Sequence, residues 1–115
     1  HFAILTLARL PDFAGWELVF AFRWPSVVYA LDILAWDVFF AVSMFCAAPV
    51  FPGGGLRRAI RLALLASGIL SLAGLAGVAV GDMQLRNIGI IGYVGVFPVA
   101  VALTVVLFAR MRREE

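Results

Sequence analysis

A chain of 115 residues that is 64% hydrophobic and 14% charged, with a mean hydropathy of +1.06, has too little polar surface to cover a water-soluble globule of its size. All nine basic residues are arginine and they exceed the acids by two. They cluster at the ends of apolar runs, which fits membrane orientation and gives nucleic-acid binding no basis beyond net charge. The lone Cys46 excludes an intrachain disulfide and reads as a small hydrophobe.

The opening HFAILTLARL resembles the last turns of a helix that begins upstream, so residues 1–10 are read as the end of an earlier span, closed by Pro11-Asp12. Residues 13–24, FAGWELVFAFRW, are too short to cross a bilayer and carry Glu17 and Arg23 among five aromatics. That mixture suits the membrane–water interface and predicts a short surface helix presenting Trp16, Phe20 and Trp24 to headgroups or a partner protein. Pro25 falls where a first-turn proline is tolerated, and a span follows over 26–48, ended by Pro49 and by Pro52-Gly53-Gly54-Gly55. A second span, 57–80, opens on Arg57, Arg58 and Arg61 and ends at Gly81. Residues 82–87 read as a polar loop, and a third span, 88–109, is stopped by Arg110, Arg112 and Arg113. At about 1.5 Å per residue, roughly 20 apolar residues cross a hydrocarbon core near 30 Å thick, so each run suffices. The predicted fold is all-α: a single polytopic transmembrane helix bundle over 1–115, with three complete spans, part of an earlier one and a short interfacial helix.

The two arginine clusters are separated by two spans, which puts them on one side of the membrane. The positive-inside tendency makes that side the cytoplasm. The interfacial segment and residues 82–87 then face outward.

Pro-Ser-Val-Val-Tyr-Ala-Leu-Asp from Pro25, Phe-Cys-Ala-Ala-Pro-Val-Phe from Phe45, Gly-Asp-Met-Gln-Leu-Arg-Asn-Ile-Gly-Ile-Ile-Gly-Tyr from Gly81 and the later Val-Phe-Pro-Val resemble a group of bacterial four-span inner-membrane proteins without an assigned function. The similarity runs from about Pro25 onward. It implies four spans, an acidic residue at the position of Asp32 and a basic C-terminal tail; Asp37 departs from it, since the group has a small residue there. No activity is implied.

Two acids inside the first span are the candidate polar site, with Arg86 and Tyr93. An ionisable residue near the bilayer centre costs roughly 2.5–3.5 kcal/mol and faces a bundle interior or a water path. Asp32, about 9 Å from the outer end of its span, is within reach of Arg86 or Arg9 for an ion pair. Asp37 is deeper, and five α-helical residues turn it roughly 140° from Asp32, which argues against a carboxylate dyad or a shared metal. Desolvation favours its neutral form, hydrogen-bonded to Ser67, Ser71 or Tyr93, or directed at a neighbouring subunit. On that reading Asp37→Asn is nearly silent. Ala59, Ala63, Ser67 and Ser71 step by four along the second span and Gly77 and Gly81 form a GxxxG pair; small residues let helices approach closely. Gly89, Gly92 and Gly95 step by three before Pro98, which should kink the third span.

With His1 as the single histidine, haem ligation by paired imidazoles and a zinc site of His and Cys are not expected. A bound lipid or carotenoid is compatible with the apolar spans. Phosphate-loop, nucleophile and zinc-protease motifs are missing. The resulting expectation is a non-catalytic membrane protein, a structural or accessory subunit packing against other membrane subunits in the bacterial inner membrane. The alternative is a small transport or sensing protein that uses Asp37 as a proton or cation site.

Overall fold

A computed structural model describes residues 15–114; the expected end of an upstream span at 1–10 and the first residues of the interfacial segment lie outside the described residues. Every regular element among them is helical. Four helices follow in order: α1 (Trp16–Phe20), α2 (Val27–Val50), α3 (Gly55–Val80) and α4 (Met83–Glu114). The last three are long and apolar enough to cross a membrane, so the all-α transmembrane architecture holds. The chain divides within α2 into two compact units, 1–35 and 36–115.

In the first unit the interfacial helix is shorter than the 13–24 expected. Gly15 enters it in the left-handed region at φ 85°. The helix stops at Phe20 because Ala21 is extended, and Trp24 precedes Pro25, whose ring disfavours helical backbone before it. Arg23 turns back to pair with Glu17 at 2.6 Å on an exposed surface. Pro25 is not a first-turn residue. The helix cap is Ser26, whose hydroxyl accepts from the Tyr29 N–H at 3.1 Å and donates to the Ala21 carbonyl at 2.5 Å, so one side chain closes the turn and starts α2.

In the second unit α3 and α4 form an antiparallel hairpin, and the end of α2 packs on α3. The predicted 82–87 loop is absent. Gly81 caps α3 at φ 73°, donating to the Gly77 and Val78 carbonyls, and Asp82 caps α4 by accepting from the Gln84 N–H at 2.8 Å. With the end of α3 and the start of α4 satisfied by adjacent residues, Met83 to Asn87 become the first turn of a helix rather than a loop. α2 continues past its expected end through a 3-10 turn, Ala48–Val50, and α3 starts two residues early at Gly55.

Two stretches depart from α geometry: Leu34–Phe39 in α2 and Ile91–Val96 in α4 are π-helical. The second has a local cause. Pro98 lacks an N–H, and its ring would meet the carbonyl four residues back in an α-helix. The wider turn just before it gives that ring room, and Phe97 donates to the Gly92 carbonyl five residues back. The break expected at Pro98 is therefore taken up inside a continuous helix. Nothing in the structure explains why Leu34–Phe39 is also widened. The 140° expected between positions 32 and 37 assumed α geometry throughout, which this stretch does not have.

Toward the arginine-bearing end of the hairpin, Met44, Ala48, Ile60, Leu64 and Ala100 form a buried apolar cluster. Beyond them lie Arg57, Arg58 and Arg61 at the start of α3 and Arg110, Arg112 and Arg113 at the end of α4.

Candidate functional site: a buried ion pair on a close helix seam

The seam between α3 and α4 is made by residues too small to keep two backbones apart. A Cβ on Gly74 would lie 3.0 Å from the Gly89 Cα, one on Gly77 would collide with the Arg86 amide nitrogen, and one on Gly92 would lie 2.7 Å from the Ser67 carbonyl. Ser67 adds a directed contact, donating to the Gly92 carbonyl at 2.8 Å. Without a hydrophobic force between helices in lipid, such packing and hydrogen bonding hold them together. Of the predicted packing residues, Ser67, Ser71 and Gly77 are buried on this seam, while Ala63 packs half-buried against the apolar cluster. Gly81 does not pack. It is exposed, with nothing within 4 Å of its Cβ position, and serves as the cap of α3. Gly95 also faces away from the seam, exposed. The sequence reading missed Gly74 and did not place Gly89 and Gly92 opposite α3; the run of glycines at steps of three was the available signal.

Close approach at this level brings Arg86 from the first turn of α4 against Asp37 from the π-helical part of α2. Arg86 Nε lies 3.3 Å from Asp37 Oδ2, with Arg86 6% exposed and Asp37 fully buried. The other carboxylate oxygen rests against Gly89, where a Cβ would lie 2.6 Å from Oδ1. Gly89 therefore makes the space that the carboxylate occupies. Asp37 is ten residues past Val27, on the order of 15 Å along α2, and Gly89 is six past Met83, about 9 Å along α4. Asp37 and Gly89 thus lie inside their helices, and Arg86 reaches the carboxylate from the first turn of α4.

Arg86 pairs with Asp37, which joins two of the four residues that the sequence groups as a polar site. Of the Asp37 partners expected from sequence, Ser67 donates to the Gly92 carbonyl and the Ser71 hydroxyl is buried without a hydrogen-bond partner. Tyr93 stacks in an aromatic cluster, 5.2 Å from Trp36 and 6.1 Å from Phe40, with Phe40 in turn 5.2 Å from Phe97. Asp32 is half-buried on α2. Among the interfacial residues Trp24 is exposed and Phe20 half-buried, and Leu18 and Phe22 are more exposed than either; the Trp16 side chain lies outside the described residues. Among the described residues no three His, Cys, Asp or Glu side chains converge as metal ligands.

Chemically, an acidic and a basic side chain held this close in a low-dielectric site attract each other strongly and tie α2 to α4. A cation at the start of a helix opposes its dipole, so Arg86 gains little from its own helix. Asp37 supplies it with a counter-charge. Comparison of the chain with family models, curated proteins and solved structures finds no match.

Proposed function

We propose that this chain is a non-catalytic subunit of a larger membrane complex, in a bacterial inner membrane, with its arginine clusters and C-terminus on the cytoplasmic side. The observation that carries this reading is the thin cover on α4. Of its most apolar stretch 11% is buried inside the chain, against 33% for α3. On the side away from α3, Ile91, Gly95, Val99 and Val106 are exposed, and Gly95 leaves room for another helix to come close. The sealed Asp37–Arg86 pair supports an architectural role over the alternative of a transport or sensing site. Both groups are all but closed to solvent, and a fixed guanidinium beside the carboxylate opposes entry of a second cation.

A photo-crosslinking residue at Val99, with the protein extracted in mild detergent and run on a native gel, tests the proposal. The expected result is a cross-link to another polypeptide and migration with a larger assembly. A small species cross-linked only to lipid overturns it.

A further inference from the structure

At the arginine-bearing end of the second unit an open groove of about 400 Å³ runs between the end of α2 and α4, with Leu64 of α3 at its floor. Its walls include Phe51, Phe97, Ala100, Val105 and Phe108, and its lining is almost wholly apolar. Two features of this groove define what fits it.

The first is length. From Phe97 to Phe108 is eleven residues, about 16 Å of helix, which is close to half of a hydrocarbon core near 30 Å thick. Phe97, at one end of the lining, packs against Phe40, and a lining of this length matches an acyl chain within one leaflet. A partner helix would need a face running the whole length of the span.

The second is charge. At helical spacing the groove face of α4, Val101, Val105 and Phe108, continues to Arg112, and the face of α3 that carries Leu64 carries Arg61 and Arg57 one and two turns earlier. None of these arginines has an ion pair among the described residues, where Arg23 pairs with Glu17 and Arg86 with Asp37. Glu114 is the one described acid near them, two residues beyond Arg112. Basic side chains beside a cleft between spans attract acidic lipid headgroups.

We infer that this groove binds an anionic phospholipid, with one acyl chain along α4 between Phe97 and Phe108 and the phosphate held by Arg57, Arg61 and Arg112. The inference stands on the groove and its charge alone and is independent of the proposed partner face, which lies on the opposite side of α4.

Native mass spectrometry of the full chain in mild detergent, with equal amounts of phosphatidylglycerol and phosphatidylcholine of identical chains, provides the test. An arginine near an acidic headgroup contributes roughly fivefold in affinity, so phosphatidylglycerol should be retained at least fivefold over phosphatidylcholine. Arg57→Gln/Arg61→Gln/Arg112→Gln should abolish the preference while leaving both lipids bound. Val105→Trp, at a position 62% exposed on the groove wall, should lower retention of both without loss of helicity. Equal retention of the two lipids by the natural sequence overturns the inference, as does unchanged retention in Val105→Trp. Displacement of phosphatidylglycerol by millimolar inorganic phosphate, or a cross-link from position 105 to a polypeptide or a carotenoid, overturns it too.

Discussion

Asp37 and Arg86 occupy a medium that solvates neither, so a change at one is felt at the other. Asp37→Asn keeps shape and most hydrogen-bonding capacity but withdraws the negative charge 3.3 Å from the guanidinium. The sequence reading of this variant as nearly silent took the carboxyl as neutral and hydrogen-bonded; the contact with Arg86 gives a different expectation. We expect Asp37→Asn to lose stability in detergent, by up to the roughly 3–5 kcal/mol that breaking a buried pair costs when the remaining charge is uncompensated. Arg86→Met alone should also be destabilising. Asp37→Leu with Arg86→Met should recover much of the loss, because apolar replacement of a whole buried pair is often neutral or better. Thermal unfolding followed by circular dichroism measures all three, and additive losses in the double variant would remove the coupling. The sequence marked Asp37 as expensive in lipid and grouped Arg86 with it in one polar site, but gave no geometry for the pair. Arg86 stood in what read as a loop, and only the capping by Gly81 and Asp82 turns it into the first turn of a helix, where its side chain reaches a neighbouring span.

Helices α3 and α4 show how residues of one kind serve opposite purposes by position. Gly77 lies where a side chain would press on the Arg86 amide, and backbone cannot move aside as a flexible side chain can. Gly77→Ala should therefore cost about 1–3 kcal/mol, the usual range for overpacking, and loosen the hairpin. Gly95→Ala meets only Ile91 of its own helix, at 3.8 Å, and should be neutral or stabilising by about 0.4–1 kcal/mol through the unfolded chain. Unfolding midpoints in the same detergent separate the two, and equal losses would mean that the seam is not the tight contact described. In the sequence both glycines belong to equally persuasive patterns, the GxxxG pair and the step of three. Spacing tells which residues share a face; it does not tell which face meets a neighbour. That choice depends on the two-residue turn and on the widened segment before Pro98, neither of which alters the hydrophobic pattern.

At the scale of the whole molecule, the spans and their order were legible because twenty-odd apolar residues have few alternatives in length or medium. Their ends were less so, since caps and prolines shift a boundary without changing composition. The antiparallel hairpin places Arg57, Arg58 and Arg61 at the same end as Arg110, Arg112 and Arg113, and the proposed orientation sends that end to the cytoplasm. Position 54 then lies on the inner side and position 84 on the outer. Gly54 is suited to a probe, being an exposed cap with φ −104° and open space at its Cβ, unlike Gly53 and Gly55, whose positive φ would strain a side chain. Gln84 is exposed on the first turn of α4. With Cys46 replaced by serine, a membrane-impermeant thiol reagent applied to intact cells should label Gln84→Cys and reach Gly54→Cys only after permeabilisation. The opposite pattern would invert the orientation while keeping the hairpin. Labelling of both from outside would break the hairpin itself, because 26 residues of α3, about 39 Å at 1.5 Å each, cannot begin and end on one face of a bilayer they cross.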